Sequence, residues 1–295
     1  MWGLNKQFVI IAGLILLITA GAGYYWLNLP AQAKYDIERN IRYGFTVQNK
    51  TNKTLENVGV YVYGPVKKTS AQFTKNIAAS IPYELKIDDL GNQVLHFTLD
   101  RLPPFATSII NIDAQLMLSD APNEFETDVD RFLGSEKYVE TDNRRLVELA
   151  TNISNKTDQV TDKSILEWIH SNIRYSGYIQ DDRGALYAYE NRTGDCTEFM
   201  YLYMAMARIA GIPARGIGGY VYAEDSVLKP SDFHNWVEIN DDGKWWIIDP
   251  QNGIYKEKQS HFIAMRVLSE AGSAIHLNNT HQFAVAEQNV SIKMN

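Results

Sequence analysis

Cysteine is nearly absent from this sequence. Cys196 is the only one, so the chain can form neither an intramolecular disulfide nor a cysteine-rich zinc site. The six histidines show no HExxH or paired spacing and no EF-hand loop is present, so no metal and no cofactor is implied. Positive charge is also scarce. With a net charge of -7 and no basic stripe, nucleic acid is not an expected partner. Internal repeats and low-complexity tracts are missing too. Hydrophobic residues at 45% and charged residues at 21% describe a globular chain, not a disordered one.

The segment Phe8 to Leu29 contains no charge and is largely apolar. It exceeds the roughly 20 residues that span a bilayer. Ala31-Gln32-Ala33 also reads as a signal-peptidase site. A cleaved signal has an apolar core of about 7–15 residues close to the cut, whereas the densest run, Phe8 to Ile18, ends well before Ala33. The lengths favour an uncleaved anchor with the globular part outside the cytoplasm; secretion after cleavage near Ala33 is the alternative. The sequon Asn191-Arg192-Thr193 lies just before Cys196, where a glycan would crowd the thiol. Together with the missing disulfides, this points to a bacterial envelope, with the chain held in the inner membrane and facing the periplasm.

From Tyr35 to about Pro122 the pattern has a period of two. Ile41, Tyr43, Phe45 and Val47 alternate with polar or small residues, and Val58, Val60 and Val62, then Leu95, Phe97 and Leu99, then Ile110 through Leu118 repeat the pattern. Turn residues separate these runs, as in an antiparallel β-sandwich. After Asp130 the period becomes helical: Leu146 to Ile153, then Val160 to Ile173, then a stripe from Phe199 to Ala210 stopped by Gly211 and Pro213. Ser176 to Asp195 reads as loop. Strands follow at Ala214 to Tyr222, His234 to Ile239 and Lys244 to Asp249. The expected organisation is a membrane segment at 1–34, a β-sandwich at 35–125 and an α+β domain at 135–295.

Cys196 stands at the first turn of the Phe199 stripe, where helix-terminal N–H groups and the macrodipole stabilise a thiolate. Its flanks Asp195, Thr197 and Glu198 are polar. Downstream, Asn240-Asp241-Asp242-Gly243 turns between two alternating strands. A four-residue loop there makes paired numbers sum to 483, the total of 234 and 249, and sets His234 directly opposite Asp249. Opposed Cβ atoms lie about 4.5–5.5 Å apart. A two-residue Asp242-Gly243 turn makes the sum 485 and leaves the two as diagonal neighbours on one face; only a one-residue slip would part them. A thiol, an imidazole and a carboxylate suit a nucleophile, its base and the base's orienter. The Cys196 backbone N–H is one oxyanion donor; Tyr187, Tyr189 and Asn191 are candidates for a second.

Gly194-Asp195-Cys196-Thr197-Glu198-Phe199, Ala207 to Arg215, Gly219-Tyr220, His234-Asn235-Trp236-Val237-Glu238 and Trp246-Ile247-Ile248-Asp249-Pro250 occur in this order. They resemble the transglutaminase-like superfamily, the papain-related group that includes bacterial thiol peptidases, over roughly Leu146 to Gly253. The resemblance implies a papain-like core, with a cysteine-bearing helix packed on an antiparallel sheet, and Cys196, His234 and Asp249 as its catalytic triad. It implies a protein or peptide substrate. Hydrolysis is the first expectation, since water is the default acceptor of an exposed thioester. A transglutaminase or deamidase is the alternative within enzymes, and a non-catalytic envelope binding module is the alternative outside them. The segment Ala223 to Phe233 is either a substrate-side lid or a surface loop. Trp236, Trp245, Tyr220 and Tyr222 either build an acceptor groove or belong to the core. Oligomeric state has no sequence signal.

Overall fold

The alternating segments near the start of the chain are strands in the computed structural model, which describes residues 34–125, 127–157, 161–178, 181–269 and 283–295. They are β1 (Ile37–Asn49), β2 (Leu55–Gly64), β3 (Gln72–Ala79), β4 (Glu84–Ile87), β5 (Gln93–Leu102) and β6 (Thr107–Leu118). Helices α1 (Arg144–Thr157) and α2 (Asp162–Asn172) follow, then β7 (Arg174–Tyr175), α3 (Gly184–Asn191), β8 (Thr193–Gly194) and α4 (Cys196–Ile209). The remainder is β9 (Ala214–Val221), β10 (Ser226–Val227), β11 (Phe233–Asp241), β12 (Lys244–Asp249), β13 (Ile254–Tyr255), β14 (Phe262–Leu268), β15 (Phe283–Val285) and β16 (Val290–Met294). The architecture is α+β. The expected membrane segment Phe8 to Leu29 lies outside the described residues, and no helix among those described is long and apolar enough to cross a membrane.

One sheet runs β10-β1-β6-β3 with β16 also on β1, and a second runs β15-β2-β5-β4. The apolar member of each alternating pair points inward. Tyr43, Phe45, Ile110 and Ile112 from the first sheet and Val60, Val62, Leu95 and Phe97 from the second share one core. Three of these strands, β10, β15 and β16, come from beyond residue 135, so both sheets draw on the two expected domains, and Tyr35–Asn295 forms a single unit. The added strands satisfy backbone groups along β1 and β2 that would otherwise face solvent as open edges.

The third sheet is antiparallel, β13-β12-β11-β9-β14. One face takes α4: Phe199, Met200 and Met204 pack with Val237, Ile239 and Ile248. Trp236, Trp245, Ile217 and Phe262 form a separate core with Phe132. The stretch from Ser176 to Asp195, expected as loop, contains α3. Eight residues are too few for an autonomous helix. Packing of Ala185 and Ala188 into the α4 core supports it, and Arg192 ends it in a left-handed conformation with φ of 54°.

Candidate active site

The start of α4 is built by its own sequence. Asp195 caps the helix, its Oδ1 accepting the Thr197 backbone N–H at 2.8 Å, while Glu198 Oε2 accepts the Asp195 backbone N–H at 3.0 Å. This reciprocal capping satisfies helix-end donors. Gly194 is required beside it, because a Cβ there would lie 2.4 Å from the Glu198 Cβ. Cys196 is thus the first helical residue, half-buried.

His234 and Asp249 meet across β11 and β12. His234 Nε2 lies 2.8 Å from Asp249 Oδ2, with the histidine side chain 13% exposed and the carboxylate fully buried. The observed register pairs Val237 with Ile248 and Glu238 with Ile247, so paired numbers sum to 485. The expected four-residue loop is therefore corrected to a two-residue Asp242-Gly243 turn, and His234 and Asp249 are diagonal neighbours. Asp242 and Gly243 have φ of 51° and 75°, as a tight turn matching strand twist demands. Asp249 Oδ1 accepts the backbone N–H groups of Gln251 and Asn252, and Oδ2 accepts Asn252 Nδ2 at 2.8 Å.

Burial pulls the His234 pKa down, but its hydrogen bonds to Asp249 and to Cys196, reinforced by their charges, push it up to about 10. With Nε2 turned to Asp249, Nδ1 is the ring atom left for the thiol. The structure therefore brings Cys196, His234 and Asp249 together, with His234 bonded to Asp249 and near enough to Cys196 to be influenced by it.

A cavity of about 630 Å³ opens beside them, with Cys196, Thr197 and Asn235 in its wall. Asn235 is 8% exposed and donates from Nδ2 to Thr197 Oγ1 at 2.9 Å and to Cys196 Sγ at 3.7 Å. Sequence reasoning passed it over, because strand alternation sends Asn235 to the face opposite His234. The proposed alternatives for a second donor are not at the thiol. Tyr187 bonds Arg183, Tyr189 packs on Trp168, and Asn191 donates to the Tyr187 carbonyl. Trp236 and Trp245 are core residues, whereas buried Tyr220 lines the cavity. The segment Ala223 to Phe233 is neither a free lid nor a plain loop. Its β10 strand pairs with β1, Leu228 is fully buried, and Pro230, Ser231 and Phe233 form cavity wall.

Residues 147–250 match the family model described as the transglutaminase-like superfamily. The matched segment runs from α1 to the Asp249-Pro250 turn and includes Cys196, His234 and Asp249. Among solved structures, a candidate cysteine protease from Cytophaga hutchinsonii is similar over 88% of this chain and 92% of its own, at 17% identity and a TM-score of 0.55. The periplasmic domain of TgpA from Pseudomonas aeruginosa aligns over 72% of this chain and 90% of its own, at 14% identity and a TM-score of 0.40. The first of these shares its fold with most of this chain. No curated protein matches the sequence.

Proposed function

We propose that this chain is a thiol acyl-transfer enzyme that hydrolyses amide bonds of proteins or peptides, with Cys196 as nucleophile, His234 as base and acid, and Asp249 as the orienter of His234. The observation that carries this reading is the 2.8 Å His234–Asp249 bond, with the imidazole also under the influence of a thiol at a helix start. His234 takes the thiol proton. The thiolate attacks the amide carbonyl carbon, and the imidazolium protonates the departing amine as the C–N bond breaks. Water then attacks the thioester, gives its proton to His234, and releases the acid and the free thiol.

The tetrahedral oxyanion needs donors. The Cys196 backbone N–H has no carbonyl of its own helix to bond, and Asn235 Nδ2 lies 3.7 Å from the thiol sulfur. Asn235 is assigned as the second donor. Residues 1–34 are read as an anchor that holds the 35–125 and 135–295 segments outside the cytoplasm at a bacterial inner membrane, on the strength of the uncharged Phe8 to Leu29 run.

The test is the pH dependence of Cys196 alkylation by iodoacetamide, unambiguous because the cysteine is single. The expected result is rapid labelling well below pH ~8.5, where a free thiol ionises, and marked slowing in His234→Ala. Labelling that follows a free thiol in both proteins would end the enzyme reading. Amine incorporation into a peptide substrate would replace hydrolysis with cross-linking.

A further inference from the structure

We infer that the cavity beside Cys196 is a side-chain pocket for a cationic group, so that the preferred peptide substrate carries a lysine-like ammonium next to the bond under attack. This rests on the proposed thiol chemistry and names the substrate class of that site.

The cavity volume of about 630 Å³ falls within the range of about 300–1,000 Å³ typical of ligand sites. Its wall near the thiol is acidic and aromatic: Asp182, Asp195, Tyr175, Tyr178 and Tyr201. Aromatic faces and carboxylates both favour a cation. Tyr175 and Tyr178 are 51% and 83% exposed, large apolar surface at a mouth. Tyr175 is close enough to Cys196 and Asp195 to feel their charges, which ties this mouth to the nucleophile.

Asp182 is short of positive charge. Its Oδ2 accepts the Tyr201 hydroxyl at 2.9 Å. Among the described residues no Lys, Arg or His forms an ion pair with it. Asp195 and Asp181 add negative charge around it, against Lys137 alone among the leading influences. Burial raises its pKa accordingly. A ligand ammonium in this cavity would supply the missing countercharge. Arg266 also lines the cavity, but it is engaged: its guanidinium lies 4.7 Å over the Tyr63 ring, and Asp88 acts on it.

The experiment uses the full chain and three peptidyl chloromethyl ketones that differ only in one side chain: lysine, norleucine or glutamate. Each reacts by thiolate displacement of chloride, forming one C–S bond and releasing chloride, and mass spectrometry reads the rate at Cys196. The lysine probe is expected to react at least about tenfold faster than the norleucine probe, the scale of one charge-assisted contact. Asp182→Asn keeps an acceptor for Tyr201 but removes the charge, and the lysine-to-norleucine ratio should collapse toward one. The ratio is taken within each protein, so a general change in thiol reactivity cancels. Equal rates in the wild-type protein, or a faster glutamate probe, would overturn the inference. An iodoacetamide profile typical of a free thiol would instead overturn the enzyme reading beneath it.

Discussion

His234 sits under opposed influences, and the balance makes predictions. Burial disfavours its charge, while Asp249 and Cys196 favour it and raise it from about 6.5 to about 10. A histidine raised on folding stabilises the fold in full below its unfolded pKa and loses that contribution as pH rises through its folded one. The contribution is therefore complete below about pH 6.5 and gone above about pH 10. Denaturant midpoints across that window should show this loss in the native protein and a flatter profile in His234→Ala. Asp249→Asn keeps an acceptor but removes the charge that helps raise the imidazole, so the basic limb of the pH–rate profile should move to lower pH by about one unit or more. Asn235→Ala should slow acylation by about 10²-fold beyond any effect on iodoacetamide alkylation, a reaction that builds no oxyanion. Equal losses in both assays would remove Asn235 from the oxyanion site. At this scale the thiol, imidazole and carboxylate were legible in the sequence. Asn235 and Asn252 were not, because a side chain's role there depends on which helix start or turn it meets in space.

The site depends on two strand junctions. One is the Asp242-Gly243 turn, which sets the β11–β12 register and with it the diagonal approach of Asp249 to His234. The other is the β9–β11 pairing, where Gly219 faces His234 and Gly218 faces Asn235. A Cβ on Gly219 would lie 2.1 Å from the Ile263 carbonyl oxygen on β14 and 2.7 Å from the Trp236 ring. The backbone oxygen cannot swing aside as a flexible side chain could. Gly219→Ala should therefore cost about 2–3 kcal/mol by overpacking and slow Cys196 alkylation as β11 shifts. Calorimetry together with the labelling rate checks this, and a variant with unchanged melting would contradict the close approach. Also across this junction, Arg215 and Glu238 pair directly and bond at 2.7 and 2.9 Å, both buried. Periodicity predicted the strands themselves. It left the choice between two registers open, since both kept His234 and Asp249 on one face.

Across the whole molecule, distant segments finish one another. β16 pairs with β1 from Phe45↔Met294 to Asn49↔Val290, and β15 pairs with β2. Val290 and Met294 are buried, and Met294 also lines the cavity and meets Tyr220. Removing residues 283–295 should lower stability by at least about 3 kcal/mol, from two buried apolar side chains alone. Urea unfolding measures it, and a truncated chain as stable as the full one would show that these strands add nothing. The sequence by itself determined the local features: alternation marked β1, β2, β5 and β6 and the strands that carry His234 and Asp249, the Phe199 stripe put Cys196 at the first turn of a helix, and the ordered motifs singled out Cys196, His234 and Asp249 as candidates. These depend on neighbours a few residues away and so leave a periodic trace. The tertiary structure alone decided that strands from the end of the chain close the first two sheets, that Asn235 reaches the thiol, and that Asp182 faces a cavity shared with Cys196. Those outcomes depend on packing between segments far apart in the chain, which no local period records.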